Sequence, residues 1–138
     1  MHLEKRFDVK CAPEVAVHAI ASDDTLVGLF PDTEIVESDG NRKTLCSHYT
    51  ALGQEGTATF HFTFLPDGDV EFEKVCDGRV WRALSGSVRF ETRGKGTRVR
   101  IEMEGRTKSL VPEFTIRGPL RDQMDQMAAA LRERIESL

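Results

Sequence analysis

Lys74 and Arg82 are the residues of this chain that most need a chemical explanation. In the strand register derived below, Ser47, Phe60, Lys74, Arg82 and Thr107 stand at similar height on the inward face of neighbouring strands. Two cations pointing into an apolar cup are costly unless an anion or hydrogen-bond acceptors meet them. One reading is that Lys74 and Arg82 meet the acidic or carbonyl end of a ligand. Its apolar body would then lie against Phe62, Phe72, Leu84, Met103, Met124 and Met127, with Ser47, Tyr49 and Phe60 completing the site. The other reading is that both cations snorkel out of the cavity mouth, or pair with an internal carboxylate such as Glu37.

Tyr49, the only tyrosine, is expected to face inward opposite Ala58. It could orient a ligand carbonyl or, with Arg82, act as an acid in a cyclisation or dehydration. More often such a tyrosine is an ordinary core residue with its hydroxyl satisfied. Of the histidines, His48 and His61 fall on outward positions, His2 is terminal, and His18 lies where a first helix could edge the cavity. No serine or cysteine has a recognisable base partner, and no glycine-rich phosphate loop follows a strand, so triad and phosphate-loop chemistry are unsupported. Met103, Met124 and Met127 suit an adaptable cavity, or equally plain core filling.

The elements that must position these residues begin with the tail. From Pro112 to Ser137 the apolar residues Ile116, Leu120, Met124, Met127, Leu131, Ile135 and Leu138 recur at steps of three and four. That spacing is one stripe on a helix, which cannot bury its stripe alone. Gly118-Pro119 predicts a kink there, or a helix that starts there. Ala128-Ala129-Ala130 keeps the helix slim, which favours empty volume beside it.

At the other end, Leu3, Lys5, Phe7 and Val9 alternate with Glu4, Arg6, Asp8 and Lys10, a strand of period two. Two short helices follow, one after Ala12-Pro13-Glu14 and one from Asp23-Asp24 that Pro31 ends. Between Asp32 and Lys108, turn signals recur at Asp39-Gly40, Gly53-Gln54, Pro66-Asp67-Gly68, Asp77-Gly78 and Gly94-Lys95-Gly96, which makes an antiparallel meander.

Turn chemistry then gives a register. Gly68 left-handed sets Phe64 opposite Val70, Phe62 opposite Phe72 and Phe60 opposite Lys74. A Gly53-Gln54 turn sets Leu45 opposite Phe62, Ser47 opposite Phe60 and Tyr49 opposite Ala58. A Cys76-Asp77-Gly78 loop puts Val80, Arg82, Leu84, Gly86, Val88 and Phe90 on the same face. A type II′ turn at Gly94-Lys95 sets Phe90 opposite Val99, Val88 opposite Ile101 and Arg82 opposite Thr107. In the first hairpin, either Val36 or the pair Ile35 and Glu37 faces inward. Gly86 and Gly105 read as bends that curl the sheet. Trp81, the single tryptophan, faces outward between Glu73 and Lys108. It marks a partner or homodimer patch there, unless a local bulge turns it inward.

The expected architecture is α+β: a curved antiparallel sheet of about seven strands wrapped around a long C-terminal helix, in the order β-α-α-β6-α, as a single domain over residues 1–138. This order resembles the START-like (SRPBCC) helix-grip superfamily, which includes polyketide cyclases and coenzyme Q-binding proteins. The resemblance rests on the opening strand, Ala12-Pro13-Glu14, Asp23, Leu29-Phe30-Pro31, the meander and the terminal helix. His18 departs from the pattern, standing where many members carry a large aromatic residue. The resemblance implies a cavity between sheet and helix for an apolar small molecule. It does not specify an activity.

Bulk composition narrows the classes. A net charge of −4 argues against a nucleic-acid partner. No apolar run reaches the ~18 residues of a membrane span, and the first residues are no signal peptide. The three dispersed cysteines, Cys11, Cys46 and Cys76, then read as reduced thiols in a cytoplasm, with no metal-ligand spacing and no cofactor motif. There are no repeats, low-complexity segments or linkers. The expected function is binding or carriage of a small hydrophobic molecule of lipid, quinone or polyketide-like class. The rivals are a cyclase or dehydratase, and a protein-interaction module with a filled core.

Overall fold

Alternation in the first strand is reproduced as burial: Leu3, Phe7 and Val9 enter the core while Glu4, Arg6 and Asp8 face out. The computed structural model describes residues 1–51, 53–76 and 79–138. In chain order the elements are β1 (His2–Val9), α1 (Pro13–Ala21), α2 (Asp23–Gly28), β2 (Thr33–Asp39), β3 (Arg42–Ala51), β4 (Gln54–Phe64), β5 (Val70–Lys74), β6 (Trp81–Arg93), β7 (Gly96–Thr107) and α3 (Glu113–Glu136). The strands form one antiparallel seven-stranded sheet in the order β1-β7-β6-β5-β4-β3-β2. Its curved inner face carries the core and grips α3, which is the expected α+β helix-grip arrangement.

At the Gly68 and Gly94 turns the adjoining register is as expected. Gly68 has φ +96°, and Phe64, Phe62 and Phe60 stand opposite Val70, Phe72 and Lys74. Gly94 has φ +58°, and Phe90 and Val88 stand opposite Val99 and Ile101. Of the Cys76-Asp77-Gly78 loop, Asp77 and Gly78 lie outside the described residues.

Three positions differ. The β3–β4 ladder closes at Ala51 and Gln54, so Leu45, Ser47 and Tyr49 stand opposite Phe60, Ala58 and Gly56 rather than Phe62, Phe60 and Ala58. A slip of two keeps every side chain on its face and changes only its height. In the first hairpin a bulge at Val36 lets Ile35 face in and Glu37 face out, so neither expected alternative holds whole. A second bulge lies between Trp81 and Ala83, and it sets Trp81, not Arg82, opposite Thr107. Arg82 is thereby exposed, and Trp81 packs on the core. A β-carbon at Gly105 would sit 2.4 Å from Trp81 Cζ3, so this glycine is the floor on which the indole lies.

Helix α3 spans about 36 Å at 1.5 Å per residue. It buries Leu120, Met124, Met127, Ala128, Leu131 and Ile135, while Leu138 beyond its end is exposed. Each fully buried Leu, Ile or Met contributes about 1.5–3 kcal/mol. The helix starts well before Pro119 and runs through it, leaving the Thr115 carbonyl without its usual amide partner. Neighbouring Gly118 is exposed, and apart from its chain neighbours a β-carbon there would meet nothing within 4 Å. Gly118→Ala removes backbone entropy from the unfolded chain, but its β-carbon meets the Pro119 ring, which disfavours a helical residue before proline. The two effects are expected to offset, leaving stability within about 0.5 kcal/mol, and an unchanged urea midpoint tests this. A rise of about 1 kcal/mol would mean that the Pro119 ring does not crowd the site.

Candidate functional site

Between the inner sheet face and the N-terminal half of α3 lies a cavity of about 630 Å³, open to solvent on one side. Its wall is built strand by strand, because inward residues of neighbouring strands share one face. β3 contributes Ser47 and Tyr49, β4 Ala58 and Phe60, β5 Lys74, and β6 Trp81 and Leu84. The roof is one face of α3, formed by Ile116, Pro119, Leu120 and Gln123 at helical spacing. Phe30 and Pro31, from the segment joining α2 to β2, close one side. Phe30 stacks on Phe60 with ring centroids 5.5 Å apart and planes 11° from parallel.

A short hydrogen-bond chain fixes that side. Thr33 Oγ1 donates to the Phe30 carbonyl at 2.9 Å, so the hydroxyl of Ser47, 2.6 Å away, donates to Thr33 Oγ1. Ser47 is buried and its proton is thus committed to the corner. It offers the cavity only an acceptor. Tyr49 is 49% exposed at the mouth, with its ring over Gly56, where a β-carbon would lie 2.7 Å from Tyr49 Oη.

The electrostatics are one-sided. Lys74 and Arg79 lie on the wall and His48 at the rim, and no aspartate or glutamate lines the cavity among the described residues. His48 Nε2 is 3.8 Å from Glu34 Oε1. The Lys74 side chain is half-buried and makes no ion pair or hydrogen bond among the described residues. Several cations on the outer surface are matched. Arg98 binds Asp8 at 2.9 Å, an exposed pair in which the guanidinium holds the Asp8 carboxyl below its ordinary value. Arg100 contacts Glu4 and Glu91, and Lys5 reaches Asp125 on α3 at 3.2 Å.

Of the residues singled out by sequence, Ser47, Tyr49, Phe60, Lys74 and Leu84 are brought together on this wall. Phe62, Met103, Met124 and Met127 are packed in the core and do not line it. Phe72 is likewise buried, stacked on Phe62 at 5.2 Å. Arg82 points away because of the bulge, so the expected Lys74–Arg82 and Tyr49–Arg82 partnerships do not form. Thr107 donates to the Val111 carbonyl at 2.7 Å and tightens the approach to α3. His18 is exposed and away from the cavity, and His61 is bonded to Thr44 on the outer face. The empty volume lies beside residues 116–126, whereas Ala128 is buried against the core. Sequence reasoning missed Arg79, Pro119 and Gln123 as wall residues. The helical spacing of Ile116, Pro119, Leu120 and Gln123 was the available signal.

The opposite face of the sheet has a polar hollow of about 510 Å³ lined by His61, Glu71, Glu73, Arg89, Glu102 and Glu104, among others. No helix among the described residues is long and apolar enough to cross a membrane.

No family model matches the chain, and no curated protein matches it in sequence. Solved structures do. The Zhui aromatase/cyclase from Streptomyces sp. R1128 superposes with a TM-score of 0.75 at 15% identity, over 98% of this chain and 90% of that one. A START superfamily protein from Mycobacterium smegmatis gives 0.75 at 14% identity, over 99% and 97%. A STAR-related lipid transfer protein from Xanthomonas axonopodis gives 0.67 at 15% identity, over 98% and 85%. The chain has the START/SRPBCC helix-grip fold.

Proposed function

We propose that residues 1–138 form one binding unit that holds a small hydrophobic molecule of lipid, quinone or polyketide-like class between the sheet and α3. The observation that carries this reading is the open cavity of about 630 Å³ walled by Phe30, Phe60, Trp81, Leu84 and Leu120. That volume is in the range of small-molecule sites, about 300–1,000 Å³. A protein-interaction module has no use for such a void. The similar fold of a lipid transfer protein and of an aromatase/cyclase agrees with an apolar occupant.

Carriage is favoured over catalysis by the composition of the wall. A cyclase or dehydratase needs an acid and a base converging on one substrate atom. Here Tyr49 stands at the mouth, Arg82 faces away, and no carboxylate lines the cavity among the described residues. The likeness to an aromatase/cyclase over nearly the whole chain keeps the enzyme as the second reading.

Mass spectrometry of gently purified protein, native and then denatured, tests the proposal. A defined apolar compound near one per chain is the expected result, and incubating it with enzyme-free controls then tests for turnover. Trp81, the only tryptophan, lies on the wall, so its emission should shift when the cavity fills. An empty protein with no response to lipids, quinones or aromatic polyketides would defeat the reading.

A further inference from the structure

We infer that the occupant is an anionic amphiphile, with its acid group at Lys74 and its apolar body along Phe60, Leu84, Trp81 and the α3 roof. The inference rests on the binding role proposed above and deepens it. The chain is acidic overall, with 23 Asp and Glu against 19 Lys and Arg. A surface patch drawn at random would therefore include carboxylates. The cavity wall excludes them among its described residues, while it carries Lys74, Arg79 and a rim histidine.

The backbone explains how the cation comes to be isolated. Lys74 stands opposite Phe60 on β4, so it shares the inner face with that ring. The acidic residues of its own strand, Glu71 and Glu73, alternate onto the outer face and line the polar hollow there. Strand alternation thus keeps both carboxylates on the far side of the sheet from the ammonium. A half-buried ammonium beside an aromatic ring loses hydration that no group among the described residues returns. A ligand carboxylate would return it as a charge-assisted hydrogen bond. Ser47 adds only an acceptor, and the neutral donors of the wall are Tyr49, Thr50, Trp81, Gln123 and Gln126, so the charge that selects an acid over an alcohol comes from its cations, Lys74 foremost.

The neutral and cationic alternatives are less well served. A neutral alcohol would leave the ammonium unneutralised, and an alkylammonium would bring a like charge against it.

The test compares dodecanoate, dodecanol and dodecyltrimethylammonium by titration calorimetry at pH 8, below their aggregation concentrations. Dodecanoate is expected to bind about tenfold or more tighter than dodecanol, and the ammonium weakest. Lys74→Gln should weaken dodecanoate by about tenfold and leave dodecanol within about threefold. Lys74→Arg should keep the preference for the acid. Arg82→Gln, on the exposed side of the bulge, should change nothing. Equal binding of acid and alcohol by the unsubstituted protein, or an unaltered preference in Lys74→Gln, would overturn the anionic inference and leave an apolar site standing. Binding of none of the three would overturn both. The comparison of ligands on the unsubstituted protein decides the matter even if a variant does not fold.

Discussion

Phe62→Ala is expected to cost about 3–5 kcal/mol of stability, a large share of the ~5–15 kcal/mol that holds an ordinary domain folded. Phe62 is 0% exposed and stacks on Phe72 with centroids 5.2 Å apart. Phe72 in turn lies over Gly86, where a β-carbon would be 2.4 Å from Phe72 Cζ and 2.4 Å from the Glu102 carbonyl oxygen. The three residues form a stack from β4 through β5 to β6 that has no room to relax into the hole left by a lost ring. The cost is therefore the transfer term plus an unrelieved cavity. Urea unfolding measures it, and the slope should be unchanged so that the midpoint reports stability. Phe114, 82% exposed on α3, is the matched control, whose truncation should cost little. A loss below about 1 kcal/mol at Phe62 would mean that the stack does not bear on the core.

That stack also marks the boundary of what the sequence could reveal. The pairing of Phe62 with Phe72 was legible because Pro66-Asp67-Gly68 admits few backbone paths, and Gly68 takes the left-handed one. The α3 limits were legible because its apolar spacing is local. Away from the bulges faces were legible, since alternation alone assigns them there. Heights and bulges were not. A β3–β4 turn displaced by two in register still buries Leu45, so hydrophobic pattern cannot choose between the two.

The bulge at Arg82 is a tertiary event. It turns Trp81 onto the surface left bare by Gly105, the inward alternative that the sequence left open and residues 79–84 alone do not select. The same step expels Arg82 and leaves Lys74 on the wall without it. Whether a methionine fills a core or edges a cavity is equally nonlocal. Met103, Met124 and Met127 are all consumed by packing, and the void opens instead under Ile116 and Leu120. The inner face could thus be read from residues, while the composition of the site depended on two displacements within it.

The second large effect follows from where the void lies. Ala58→Trp is expected to weaken binding of an apolar ligand such as dodecanol by more than about a hundredfold, or about 2.7 kcal/mol. Ala58 is half-buried on β4, opposite Ser47 and two residues from Phe60, and its methyl faces the cavity. An indole there enters open volume rather than packed core, so the fold should survive with a stability change near 1 kcal/mol or less. Thermal unfolding checks the fold, and calorimetry reads the affinity, since a second tryptophan would confuse fluorescence. The variant separates body from head group. Filling the cavity should abolish binding of the alcohol and the acid alike, whereas Lys74→Gln should affect the acid alone. Unchanged affinity in Ala58→Trp would move the ligand out of this cavity, and the polar hollow beside His61 and Glu73 would become the surface to test.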